Sequence, residues 1–289
     1  MIVRAIAFAS AVVALAAAGP AWSQDRQTQE QRATELQKRL NASPSPRILN
    51  GENAKADEIP WQVGLVSRSN AGRIYCGGSF ISPTIVLTAG HCVVDLIGNA
   101  KLFKIVSGSA KLDDPRMVSH DITHIVAHPR YANISMGSDY DFALIRVAQP
   151  YTGRTVELLT SADNDRLAVG TNLQVSGWGN TQAGGNSTVN LQKLDVPVVG
   201  RADCNDADSY NGIITSRMIC AGFQQGVRDS CNGDSGGPLT MSVGPNQRRL
   251  VGVVSFGDSC GKKDKYGVYS RIHAVRSWIN STISQLSQD

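Results

Sequence analysis

Leu250-Val251-Gly252-Val253-Val254 is a short apolar run rich in β-branched residues, and it sets the reading of the fold. Runs of the same kind recur upstream, at Ile85-Val86-Leu87 and Ala143-Leu144-Ile145. Segments rich in Gly, Asn and Asp separate them. From Ile48 to about Arg271 this pattern favours an all-β sandwich or barrel over alternating βαβ units. The end of the chain differs. Ile272, Val275, Trp278, Ile279, Ile283 and Leu286 recur at helical spacing and predict one amphipathic C-terminal packing helix.

The part before Ile48 has another character. Arg4 is followed by an apolar run from Ala5 to Gly19, too short and too alanine-rich for a comfortable membrane span. Ala21-Trp22-Ser23 then supplies small residues for a cut after Ser23, so residues 1–23 read as a secretory signal. Gln24 to about Leu40 is rich in Gln, Glu and Arg, and Ser43-Pro44-Ser45-Pro46 forbids helix, so residues 24–47 read as a propeptide and extended linker. No other segment is long and apolar enough to span a bilayer. The expected location is therefore outside the cell, or the periplasm in a bacterial source.

The 289 residues are 42% hydrophobic and 18% charged, as expected of a globular protein with a sizeable core. The net charge of +4 is small for this length, and no Lys/Arg run suggests a nucleic-acid partner. Six cysteines, Cys76, Cys92, Cys204, Cys220, Cys231 and Cys260, are compatible with three bridges in an oxidising compartment, with the pairing left open. No Cys-x-x-Cys pair or zinc-spaced Cys/His cluster is present, so neither a metal nor a cofactor is expected.

Gly233-Asp234-Ser235-Gly236-Gly237-Pro238 carries the strongest chemical signal. A serine hydroxyl is a poor nucleophile until a base takes its proton. Flanking glycines let the chain turn tightly and let the amides of Gly233 and Ser235 converge on a developing oxyanion. By itself the stretch reads equally well as a glycine-rich turn. The base candidate is His91 in Leu87-Thr88-Ala89-Gly90-His91-Cys92, which follows an apolar strand and adjoins a cysteine that could pin it. His120, His124, His128 and His273 sit in no comparable context. Asp141, at the head of Phe142-Ala143-Leu144-Ile145, is the carboxylate that would orient the imidazole, and Asp139 is its competitor.

Five segments in order, Arg47-Ile48-Leu49-Asn50-Gly51, Thr88-Ala89-Gly90-His91-Cys92, Asp141-Phe142-Ala143-Leu144, Ser176-Gly177-Trp178-Gly179 and Gly233 to Pro238, resemble the chymotrypsin-like serine peptidases, the trypsin branch in particular. The resemblance runs from Ile48 to the C-terminal helix and follows the order His, Asp, Ser. It implies two packed six-stranded antiparallel β-barrels over residues 48–289, bridges Cys76–Cys92, Cys204–Cys220 and Cys231–Cys260, and catalysis by His91, Asp141 and Ser235 through an acyl-enzyme. It also implies an oxyanion site of Gly233 and Ser235 amides. The primary pocket would have Asp229 at its floor, selecting Arg or Lys, with Gly257 and Gly267 kept small along its wall. Ser255, Phe256 and Gly257 would pair with the substrate backbone. Cleavage at Arg47-Ile48 would free an amine that pairs with Asp234, making the precursor a zymogen able to activate itself. The partners implied are protein or peptide substrates and protein inhibitors, acting on a monomer, with no nucleic acid and no membrane.

The chain departs from the family pattern at Gly90 (usually alanine), Phe256 (often tryptophan), Ser259 (often glycine) and Tyr266 (often proline). Gly90 is expected to be tolerated, Ser259 to narrow the pocket mouth, and Tyr266 accompanies a bound sodium ion in some relatives. Residues 108–119 show no convincing carboxylate pair for a calcium loop. Asn41, Asn133, Asn186 and Asn280 each begin an Asn-x-Ser/Thr triplet. Two alternatives stand beside the Arg/Lys reading. One is an active endopeptidase with relaxed or chymotrypsin-like preference, and the other is a non-catalytic binding protein on the same scaffold.

Overall fold

The short apolar runs pair into two antiparallel barrels. The computed structural model describes residues 48–49, 51–179, 188–226, 229–230, 234–258 and 262–288, with the backbone alone at 48–49, 70–72 and 229–230. The first barrel comprises β1 (Gln62–Ser67), β2 (Asn70–Ser82), β3 (Ile85–Thr88), β4 (Phe103–Ser107), β5 (Val118–Ala127) and β6 (Ala143–Val147). It closes in the order β6-β3-β2-β1-β4-β5, with β5 returning to β6.

The second comprises β7 (Asn172–Gly177), β8 (Gln192–Val199), β9 (Met218–Ala221), β10 (Pro238–Gly244), β11 (Gln247–Phe256) and β12 (Gly267–Arg271). Its order is β11-β10-β7-β8-β9-β12, and pairing of β11 with β12 closes the ring. The two six-stranded barrels expected from the resemblance are therefore present.

Burial follows the period-2 rule where a strand has one wet face. Along β8, Gln192, Leu194, Val196 and Val198 are buried while the residues between them are not. By contrast all six residues of β1 and all four of β3 are buried, because both faces of these strands are covered. Phe80, Leu87, Ile105 and Leu144 in the first barrel, and Leu173, Val175, Val196 and Leu239 in the second, are at most 1% exposed. Each such side chain taken from water stabilises the fold by about 1.5–3 kcal/mol. The barrels meet through polar contacts as well, for the Ser176 hydroxyl on β7 donates to Gln62 Oε1 on β1 at 2.7 Å. The connecting segment is held by Tyr151, which stacks on Phe80 with centroids 4.4 Å apart and donates its hydroxyl to the carbonyl of Pro60.

The C-terminal periodicity yields a 3₁₀ turn, Ile272–Val275, and then α1 (Arg276–Leu286). Val275, Ile279, Thr282 and Leu286 form its buried stripe. Thr282 holds the buried place and Ile283 lies at the edge, because steps of four, three and four residues keep one helical face inward. No helix among the described residues is long and apolar enough to cross a membrane. Two bridges are described, Cys76–Cys92 and Cys204–Cys220, both as the resemblance implied. The expected pair Cys231–Cys260 lies outside the described residues, as do Arg47, Gly233, Ser259, Asn41 and Asn186.

Candidate active site

His91 lies just past the end of β3, in the 3₁₀ turn Gly90–Cys92. The Cys76–Cys92 bridge ties that turn to β2. The His91 amide donates to Asp141 Oδ1 at 2.8 Å, and the imidazole Nδ1 lies 2.7 Å from Asp141 Oδ2. Asp141 is wholly inaccessible to solvent, whereas the His91 side chain remains 30% exposed. The Ser255 hydroxyl at the end of β11 donates to Asp141 Oδ2 at 2.5 Å. One buried carboxylate thus receives donors from both barrels.

The electrostatics follow from that arrangement. Burial would push the Asp141 carboxyl upward, but His91 and the hydroxyl of Ser255 hold it below the ordinary carboxylate value. Burial would likewise push His91 down, and the charge and hydrogen bond of Asp141 hold it above its usual value. An ionised Asp141 accepts, so Nδ1 carries the proton and Nε2 is left as the basic nitrogen. Nε2 points away from the carboxylate, 3.7 Å from the sulfur of Cys92.

Asp139, the competing carboxylate, is placed elsewhere. It ends the short strand Gly137–Asp139 and forms an ion pair with Arg217, with Arg217 Nε 2.9 Å from Oδ1. The remaining histidines also have other surroundings. His120 is buried against Ser107 at 2.8 Å, His128 stacks on Tyr140, and His124 and His273 are exposed. Cys76, His91 and Cys92 bring potential metal ligands close together, but the two sulfurs are bonded to each other and offer no thiolate.

Ser235 sits in a tight turn before β10. The Ser235 carbonyl accepts from the amide of Gly77 at 2.7 Å, and the Gly237 amide donates to the carbonyl of Asp234 at 2.6 Å. Gly236 adopts φ +80°, and a β-carbon there would approach the carbonyl oxygen of Gly77 to 2.5 Å and collide with the Thr88 hydroxyl, so only glycine fits. Gly77 follows the cysteine bridged to Cys92, so the serine turn and the His91 turn hang on the same piece of β2. Asp234 is wholly buried, and its Oδ1 accepts from the amide of Gly179 at 3.1 Å.

Around them, Ser255, Phe256 and Gly257 run along the end of β11, and Gly267 opens the neighbouring β12. The backbone of Asp229 pairs with Leu49, and that of Ser230 with Ile48, in a two-residue antiparallel ladder. Ser255, Phe256 and Gly257 thus adjoin Gly267 at one end of the second barrel, while the side chain of Asp229 lies outside the described residues.

Two neighbours carry no signal that sequence reasoning could use. Tyr210 donates its hydroxyl to the carbonyl of Tyr266 at 2.6 Å and accepts from the Asp258 amide at 3.1 Å, pinning the ends of β11 and β12. Tyr131 covers Gly90, where a β-carbon would come within 2.7 Å of its ring. Both are lone tyrosines outside any motif. In the segment 108–119, Asp113 faces Lys111 at 3.5 Å and Asp114 faces Arg116 at 2.8 Å, so both carboxylates are occupied by cations.

Comparison with known proteins agrees with this geometry. The sequence profile of the Trypsin family matches residues 48–279. The chain is 36% identical to trypsin 5G1 of Aedes aegypti, covering 81% of this chain and 84% of that protein. It is 34% identical to the vitellin-degrading protease of Bombyx mori, covering 83% and 87% respectively. It is 35% identical to transmembrane protease serine 11B of Homo sapiens over 81% of this chain, which spans 55% of that longer relative. Fold, motif order and similarity over most of the chain converge, and the chain belongs to the trypsin family of serine endopeptidases.

Proposed function

We propose that this endopeptidase cleaves after Arg or Lys, with His91 as base, Asp141 as its orienting carboxylate and Ser235 as nucleophile. The observation that carries the reading is the solvent-free Asp141, which accepts from His91 twice and from Ser255 once. A carboxylate so held fixes the Nδ1–H tautomer and favours the imidazolium that forms when Nε2 takes the serine proton. Ser235 Oγ then bonds to the scissile carbonyl carbon, and the oxyanion is received by the amides of Gly233 and Ser235. His91 returns its proton to the leaving amine. The acyl-enzyme left on Ser235 is hydrolysed by water activated in the same way. Loss of one oxyanion donor typically costs about 10²–10³ in kcat.

Asp229 is assigned to the pocket floor, where a carboxylate would pair with the cation of an Arg or Lys side chain. Removing residues 1–23 and cutting Arg47-Ile48 would yield the secreted, active form, in which the Ile48 amine pairs with Asp234. The secreted protein acts as a monomer and is open to protein inhibitors of the cleft. Hydrolysis of matched Arg, Lys and Phe peptide amides, before and after cleavage at Arg47, tests these assignments. Turnover confined to Arg and Lys and appearing only after cleavage is the expected result. Equal turnover of Phe would overturn the specificity, and activity of a Ser235→Ala enzyme equal to wild type would overturn the nucleophile. A Ser235→Ala precursor expressed alone should stay uncut at Arg47, and cutting at the wild-type rate would refute self-activation.

A further inference from the structure

Asp139 and Arg217 make a contact between the barrels that the peptidase motifs leave unexplained. Asp139 belongs to the hairpin Ala132–Ile134 and Gly137–Asp139, which leads into β6 of the first barrel. Arg217 immediately precedes β9 of the second. The guanidinium grips the carboxylate as a fork, with Nε 2.9 and 3.1 Å from the two oxygens and Nη2 on Oδ2. The side chains are 28% and 16% exposed, so water screens this pair less than a surface one. Burial works against the charge on Asp139, yet Arg217 keeps its carboxyl below the usual value.

The next residue is held from the same direction. Asp139 Oδ1 accepts the Tyr140 amide at 2.9 Å. Tyr140 takes φ +50°, a conformation that a bulky side chain adopts only when its surroundings enforce it. Arg217 lies 4.7 Å and Arg130 4.4 Å from the centroid of its ring, and His128 stacks on it at 4.7 Å. Asp141 follows directly. The two residues before the buried carboxylate are therefore fixed by an arginine of the opposite barrel.

We propose that Arg217 is a positioning residue for the His91–Asp141 pair, acting through Asp139 and Tyr140. It couples the placing of the two barrels to the basicity of His91. Ser255 reaches Asp141 directly from the second barrel, whereas Arg217 sets the backbone that presents it. The proposal rests on the reading of His91 and Asp141 as base and orienter.

The test uses the activated enzyme and its Arg217→Met and Arg217→Lys variants, with the exchange Asp139→Arg/Arg217→Asp as a further variant that keeps both charges. Arg217→Met is expected to lower kcat roughly tenfold, within the 10² that a 1 Å misplacement can cost, with KM for a single-residue amide unchanged. The acid limb of kcat/KM should move to lower pH, because a loosened Asp141 supports the imidazolium less. The His91 Nδ1–H proton resonance should shift or broaden in parallel. Lysine cannot form the fork and should restore only part of kcat. Rescue by the charge exchange would support the pairing.

If Arg217→Met lowers only the melting temperature, leaving kcat, acid limb and resonance as in wild type, the positioning role is overturned. Wild-type enzyme without amide turnover would instead overturn the underlying catalytic reading. The resonance readout still decides the role of Arg217 in that event.

Discussion

Replacing Ser255 by alanine removes one of the three hydrogen bonds that Asp141 accepts, without altering backbone or charge. Asp141 is fully buried, so no bulk solvent stands ready to replace the lost donor. A hydrogen bond to a charged group contributes about 1.5–3 kcal/mol. In a domain of this size each kcal/mol moves the melting temperature by about 2–4 °C, so Ser255→Ala should melt roughly 3–12 °C lower at neutral pH. The effect has a defined pH signature. The folded pKa of Asp141 is depressed, so its contribution to stability is present above the unfolded carboxylate value of about 3.9 and lost as pH falls through the folded one. Wild type and variant should therefore differ most near neutrality and converge in acid. With one donor fewer, the ionised Asp141 directs more of its charge at His91, whose value it already holds up, so the acid limb of kcat/KM should move upward. Scanning calorimetry from pH 3 to pH 8, with pH–rate profiles on the activated enzyme, measures both. Equal melting at pH 7, or a gap that persists unchanged in acid, would show that Ser255 does not stabilise the ionised carboxylate.

Gly90→Ala should cost activity although alanine is the family's more usual residue. The new methyl would sit 2.7 Å from the Tyr131 ring, which is tethered by its hydroxyl to Asn133 at 2.8 Å, and 3.2 Å from Asp141 Oδ1. A several-fold fall in kcat restored by Tyr131→Leu is expected, and unchanged kinetics would mean that the ring yields freely. Opening the Cys76–Cys92 bridge by a double Cys→Ser change should destabilise by about 3 kcal/mol for its separation of 16 residues, read from urea midpoints. Tyr75 is pushed up to about 12, first by burial and then by Asp95. The unfolded chain loses this proton near pH 10 while the folded one keeps it, so stability should decline between about pH 10 and pH 12, and Tyr75→Phe should flatten that decline in pH-dependent melts.

The short, continuous apolar runs and the helical spacing after Arg271 determined that the chain would be all-β with one terminal helix, because the length and period of an apolar run are local properties. The motifs around His91, Asp141 and Ser235 were equally legible, since each needs a particular residue order: a cysteine beside the histidine, an apolar run after the aspartate, glycines around the serine. The apolar run favoured Asp141 over Asp139, but what each carboxylate meets was not legible. The two are only two residues apart, and tertiary structure turns the second under His91 and hands the first to Arg217, 78 residues away. Tyr131 over Gly90 and Tyr210 across β11 and β12 were silent for the same reason. Their partners are distant in sequence, and a lone tyrosine carries no pattern that would name them. What a residue can form with its neighbours is written along the chain. Which distant group meets it depends on how two closed barrels stack, and that is a property of the whole fold.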